Sequence, residues 1–416
     1  MAVTDALLGR LPAQFQREAK LIAEDLIQLL PMMTSPSAAM IAMRLLECDA
    51  FERVYRECLR LGIWPDVDLR SGMMLPLPTF AQLNIPNLPT DADLADWLII
   101  DSARLGYLAD VSNRQNDHPE PRVHHYRYAL RSKSTGGQRV IEAPKSGLKS
   151  LQRHVLHGIL DKVPVHPDAF GFVRGKSCLQ GATRHCGEEC IVSFDLQDFF
   201  PSIQSMRVLG LFRRLGYPAS VAQMLTGLCT TATPGRVLAG LPPQQRQQMR
   251  VPHLPQGAPS SPALANLIAF TLDRRLAGLA GSIGAIYSRY ADDLTFSGDI
   301  GIARILMNAV PQIVKDEGFV MNPAKTRVSH LSERQTVTGL VVNQHVNISR
   351  RQYDQIKATI HALRRPDDPR RADRAFCLSL VGQIDWVCTV NRSRGEKLKR
   401  QYNIAMGTSG EGGRSL

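Results

Sequence analysis

The sequence predicts an α+β fold, helical at both ends, with short strands and helices alternating between about residues 126 and 345. Three observations carry this. Leu11, Phe15, Ile22, Leu26 and Leu29 recur at helical spacing near the N-terminus. Runs such as Ile191-Val-Ser-Phe194 and the stretch from Tyr287 to Phe296 are short, strand-forming and bounded by turn residues. Beyond about residue 346 the chain is again helical and strongly basic.

In order, residues 1 to about 62 read as two helical runs around a break at Pro31 to Ser37, the second ended by Gly62 and Pro65. Prolines 65, 76, 78, 86 and 89 mark residues 63–92 as a linker or irregular wrap. Thr90-Asp-Ala-Asp93 starts a helix that carries Leu94, Trp97, Leu98 and Leu105 on one face. Tyr126 to Leu130 and Arg139 to Ala143 form a hairpin around Gly136-Gly137. Lys149 to Leu160 is an amphipathic helix, and Ile191 to Phe194 is a buried strand leading to Asp195. Ser202 to Leu228 is helical in two pieces, broken near Gly216-Tyr-Pro218, and Pro234 to His253 reads as a basic, Gln-rich insertion. One helix follows from Ser260 to Leu279, then a hairpin, a helix from Ile302 to Gly318, and a strand pair around Arg327 and Val337 to Val342. The Gly/Ser-rich end is expected to be disordered.

A chain of 416 residues, 44% hydrophobic and 21% charged, can bury sizeable cores in two or three domains. A net charge of +12 and a pI near 9.5 suggest an anionic partner such as nucleic acid or a membrane surface. The eight cysteines show no disulfide framework. Cys178, His185, Cys186 and Cys190 lie close together without a zinc-site spacing, so ordinary thiols are the reading. With neither an apolar leader nor a spanning run, the expectation is a cytoplasmic protein that makes no membrane contact.

The chemistry concentrates in Tyr287-Ser-Arg-Tyr-Ala-Asp-Asp-Leu-Thr-Phe-Ser-Gly298. Asp292 and Asp293 are costly to hold together unless a cation neutralises them, although an Asp-Asp pair is more often a plain exposed turn. Asp195, at the end of an apolar strand, reads alone as a turn or capping residue. Taken together, the three acids suit a two-metal phosphoryl-transfer site with Mg²⁺, the hard cation natural to phosphate chemistry.

Three motifs in order resemble bacterial reverse transcriptases: Phe194-Asp-Leu-Gln-Asp-Phe-Phe-Pro-Ser-Ile203, Leu254-Pro-Gln-Gly-Ala-Pro-Ser-Ser-Pro-Ala-Leu-Ala-Asn266 and Tyr290-Ala-Asp-Asp293. Leu294-Thr-Phe-Ser297 and Val337-Thr-Gly339 point to the retron branch, and the likeness runs over about residues 90 to 400. One departure is Gly181-Ala-Thr-Arg-His185, where retron enzymes usually begin with Asn.

The resemblance implies a right-hand polymerase: a helical extension at 1–90, fingers at 91–190, and a palm at 191–345 with a fingers-like insertion about 203–253. A basic thumb at 346–405 and a tail at 406–416 complete it. It implies that Asp195, Asp292 and Asp293 bind two Mg²⁺, with Mn²⁺ as a substitute. Arg139 and Lys133 would hold the incoming triphosphate, and Phe200 would exclude a 2′-OH. Gln256 and Gly257 would touch template and incoming base, and Lys325 would serve the leaving pyrophosphate. Val337, Thr338 and Gly339 would grip the primer end and the cognate RNA, while Lys397, Lys399 and Arg400 would contact duplex phosphates. For each of these the plain alternative is a solvated charge or an ordinary turn or core residue. The implied partners are a structured noncoding RNA as template and primer, its DNA product, deoxynucleotides, and an effector or toxin protein. The implied setting is antiviral defence. Two other readings stand beside it: a group II intron-like or other defence-associated reverse transcriptase, and an inactive RNA-binding protein on the same scaffold.

Overall fold

The computed structural model describes residues 13–29, 45, 47–62, 74–115, 118, 120, 122–132 and 137–407. Lys133, Gly136, Leu11, the break at 31–37, the side chains at 26–29 and the tail from 408 lie outside the described residues. The chain divides into two compact units, Met1–Val163 with Ile203–Ser261, and Pro164–Ser202 with Pro262–Leu416.

In the first unit, helices Gln16–Leu29 and Asp49–Arg60 pack together over Phe15, Ala19, Ile22, Val54 and Cys58. Thr90 and Asp93 close a reciprocal capping box on helix Asp91–Leu98, and Asp101 caps Ser102–Ala109. The latter packs on Ala219–Cys229, where a Cβ on Gly227 would stand 2.2 Å from the Ala109 carbonyl oxygen, so only glycine fits. Strands β1 (Tyr126–Ser132) and β2 (Gln138–Pro144) pair antiparallel with Arg131 opposite Arg139. The Gln-rich stretch is folded into the first unit. It forms helices Gly235–Leu238 and Pro243–Arg250, whose neighbourhood buries Leu238, Leu241 and Met249 with Val140, a spacing too sparse to stand out among so many glutamines.

The second unit holds an antiparallel sheet in the order β4 (Ile286–Tyr290), β5 (Asp293–Gly298), β3 (Cys190–Asp195), β6 (Arg327–His330). Ile302, Leu306, Val310 and Val314 recur every fourth residue, giving helix Ile302–Asp316 one buried stripe. The helix expected over 260–279 bends at Ala269 into Ser261–Ile268 and Phe270–Ser282. Hydrogen bonds from the Ala269 and Asp273 amides still run back four residues, so the bend interrupts little. Arg327 and Val337 do not share a pair as expected. β6 joins the main sheet, whereas β7 (Thr336–Val337) and β8 (Leu340–Val341) turn back on each other through Thr338 and Gly339, at φ 47° and 82°. Helices Arg350–Ala362, Arg374–Val390 and Arg392–Met406 bury Ile356, Ile360, Leu380, Ile384, Val387 and Leu398 in one core with Ile191 of β3, Val337 and Leu340.

His185 is fully buried, with Nδ1 2.7 Å from Ser297 Oγ and Nε2 2.7 Å from Ser288 Oγ, so it ties β5 to β4. Gly181, in place of the usual Asn, lies under the Phe170 ring, which a Cβ would meet at 3.2 Å. Burial, aided by Arg184, lowers the His185 pKa from 6.5 to about 4, against the pull of Asp168. The unfolded chain therefore takes up this proton more readily. Stability is intact above pH 6.5 and falls as pH drops towards 4, by at most about 3 kcal/mol. Urea unfolding across that window should show the slope in the wild type and a flatter one in His185→Gln; identical slopes would clear His185 of the effect.

Candidate active site

The carboxylates meet through strand register. β3 and β5 pair so that Asp195 lies opposite Asp293, while β4 and β5 pair Tyr290 with Asp293, leaving Ala291 and Asp292 as the two-residue tip. Ala291 takes φ 57°, the positive value such a tight hairpin asks of a loop residue. The Leu196 amide donates to the Asp292 carbonyl at 2.9 Å, fastening the tip to the end of β3. Residues remote in sequence thus reach one end of one sheet.

Asp195 is 4% exposed, and both its oxygens are engaged. Asn322 Nδ2 donates to Oδ1 at 3.1 Å and Lys325 Nζ to Oδ2 at 2.7 Å, while the Asn322 amide donates to the Asp195 carbonyl at 2.8 Å. Desolvation pulls the Lys325 pKa down, but its bond to Asp195 and the charges of Asp292 and Asp293 outweigh this and hold it above the usual lysine value. Asp293 is solvent-accessible at its tip, yet the surrounding protein, then Asp292 and Asp195, raise its pKa to about 6 against the opposing pull of Lys325. Among the described residues no three His, Cys, Asp or Glu side chains form a ready cation cage. The donor set still fits a hard divalent ion, since it consists of carboxylate oxygens and carries negative charge that Lys325 only partly offsets.

Phe199 is buried against Phe319, whereas Phe200 is partly exposed and neighbours Phe172, with ring centroids 6.2 Å apart. Phe172 in turn lies 6.2 Å from Tyr290, extending the aromatic patch to the hairpin that bears the tandem acids. In the first unit, Arg139 is exposed on β2, and the Glu142 amide on the same strand donates to the Gln256 carbonyl at 2.9 Å. Gly257, at φ 135°, passes so close to β2 that a Cβ would meet the Glu142 carbonyl oxygen at 3.0 Å. Val337, Thr338 and Gly339 form the β7–β8 turn, and Val337 is buried. Lys397, Lys399 and Arg400 are exposed on the last helix, with Lys399 Nζ 3.5 Å from Asp385.

Several residues escaped the sequence reading. Asn322 lies in the same turn as Lys325, and its pattern with Pro323 was the available signal. Buried Glu142 bonds to buried His253 at 3.1 Å and to Thr233 Oγ1 at 2.6 Å, fixing the stretch before Gln256. Arg289 and Asp273 are both fully buried and paired. A charge in the middle of the apolar strand Ile286–Tyr290 was the clue.

Residues 130–359 match the family model for reverse transcriptase (RNA-dependent DNA polymerase). The retron Mx65 reverse transcriptase of Myxococcus xanthus is 41% identical over 335 residues, which is 78% of this chain and 74% of that one. The retron Ec86 reverse transcriptase of Escherichia coli is 41% identical over 226 residues, 54% of this chain and 64% of its own length. The retron Mx162 reverse transcriptase of Myxococcus xanthus is 38% identical over 255 residues, covering 55% and 50% respectively. Enzymes of this family use divalent metal ions. An antiparallel sheet with paired acids at one end, matched over more than half the chain, places this protein in the reverse transcriptase family as a retron-type RNA-directed DNA polymerase.

Proposed function

We propose that the chain copies a structured noncoding RNA into DNA with two Mg²⁺ ions, for which Mn²⁺ substitutes, as the enzyme of a retron-type antiviral system with an effector or toxin partner. The observation that carries the catalytic reading is the register that sets Asp195 opposite Asp293 beside the Asp292 tip. Asp195, Asp292 and Asp293 hold the ions. Bound there, the two ions would lower the pKa of the attacking hydroxyl and offset charge on the transferred phosphoryl group. Lys325, now on Asp195, carries the positive charge suited to the departing pyrophosphate. Arg139 and Lys133 bind the triphosphate, and Gln256 with Gly257 meets template and incoming base through backbone held against β2. Phe200 lies against the sugar. Val337, Thr338 and Gly339 hold the primer end, and Lys397, Lys399 and Arg400 bind backbone phosphates without reading sequence.

In this reading residues 1–90 are an added helical region, 91–190 the fingers, 191–345 the palm with an insertion about 203–253, and 346–405 the thumb. No helix among the described residues is long and apolar enough to cross a membrane. Sequencing the nucleic acid that copurifies with the active protein tests the substrate. One folded RNA species accompanied by a DNA copy of part of it is expected. Intron RNA would favour the intron-like alternative, and RNA without DNA the inactive scaffold.

A further inference from the structure

Arg289 is fully buried three residues before Asp292, a costly place for a guanidinium unless every donor is used to hold something. Its Nε and Nη2 donate to the two oxygens of Asp273, each at 2.7 Å, which fixes the plane of the group. Tyr287 Oη donates to the same Asp273 at 2.8 Å. With the plane fixed, Nη1 is shared between Asn266 Oδ1 at 3.0 Å and the Ala291 carbonyl at 3.1 Å. Asn266 Nδ2 then donates to the Gly171 carbonyl at 2.8 Å. The backbone of Gly171 lies so close to the hairpin tip that a Cβ there would stand 2.6 Å from the Ala291 amide nitrogen. The Arg289 guanidinium carbon also lies 5.8 Å from the centroid of the Phe199 ring, next to Phe200.

One side chain therefore touches all three sequence motifs: Phe199 after Asp195, Asn266 at the end of the Pro-Gln-Gly motif, and the residue before the tandem acids. Asp292 is held on both sides in consequence. The carbonyl preceding it is bonded by Arg289, and its own carbonyl by the Leu196 amide. Ala291 sits in a backbone region that alanine avoids, so this anchoring opposes relaxation of the tip.

We propose that Arg289 is a positioning residue for polymerisation: by clamping the Ala291 carbonyl it sets the direction in which Asp292 presents its carboxylate to the metal. Lysine cannot replace it, since one ammonium lacks the planar fork needed to reach Asp273, Asn266 and Ala291 together. The inference rests on Asp292 being a metal ligand, so the test separates the two claims. Mn²⁺ alone is titrated into full-length wild type, Arg289→Lys, Asn266→Ala and Asp292→Ala, with free ion read by electron paramagnetic resonance. Thermal unfolding and steady-state deoxynucleotide incorporation are measured on the same samples. Arg289→Lys is expected to weaken Mn²⁺ binding and lower kcat by about 10- to 100-fold, the range found when a group supporting a metal ligand is removed, with KM for deoxynucleotide nearly unchanged. Asn266→Ala should shift both in the same direction by less. A folded Arg289→Lys with wild-type Mn²⁺ affinity and kcat, altered only in melting temperature, overturns the proposal. If Arg289→Lys does not fold, wild-type values for Asn266→Ala overturn it instead. Undiminished Mn²⁺ binding by Asp292→Ala refutes the ligand reading itself, whatever Arg289→Lys does.

Discussion

Asp292→Ala combined with Asp293→Ala is expected to abolish deoxynucleotide incorporation while RNA binding survives. Loss of charge-organising groups at a transferring phosphoryl centre costs about 10³-fold or more, and here two of three carboxylates go together. Primer extension beside an RNA gel-shift measures both halves of the expectation, and extension at the wild-type rate would refute the site. The same variant should not be a weaker fold in chelator at neutral pH. The Asp293 pKa is raised to about 6, so above that pH its charge opposes folding, and its removal relieves that opposition. A melting temperature at or above that of the wild type is the expected result. A sharp fall would mean that the acids support the sheet rather than burden it.

Phe200→Ala should relax discrimination against ribonucleotides by about 10- to 100-fold, the scale on which pocket shape sorts substrates that differ by one small group. The structure separates the two adjacent rings. Phe199 is 4% exposed and anchored on Phe319, whereas Phe200 is partly open and borders Phe172. Removing the outer ring takes one neighbour, 5.6 Å away, from Phe199 but leaves its contact with Phe319. The ratio of kcat/KM for a deoxynucleotide over its ribonucleotide decides the matter, and an unchanged ratio takes Phe200 out of that role.

What the sequence disclosed depended on how local the cause was. Helix Ile302–Asp316 and the strand ending at Asp195 were visible because apolar periodicity and strand propensity act over a few residues. The three acids were recognisable by motif, and their pairing across β3 and β5 then followed from register. Arg289 was hidden because its justification, Asp273, lies sixteen residues earlier on a helix, and nothing local says that the two meet. His185 lies near three cysteines in the sequence but without a zinc-site spacing. Its two serines, more than a hundred residues downstream, show both ring nitrogens already engaged within the sheet. Packing of Leu238, Leu241 and Met249 beneath a Gln-rich surface was likewise a long-range fact, since it needed Val140 on β2 to give those residues a neighbour.

The two compact units are interleaved along the chain, which passes from one to the other after Val163, after Ser202 and after Ser261. On the ribosome this imposes an order of events. β3 emerges with its acid long before β5 exists to pair with it, a wait of about 5–20 s at ordinary elongation rates. Throughout that interval a largely apolar strand has two unsatisfied edges, the condition that invites association with other nascent chains. Yield in a cell should therefore respond to translation speed and holdase supply, and a gene cut at any single point should encode fragments of which at most one contains a whole unit.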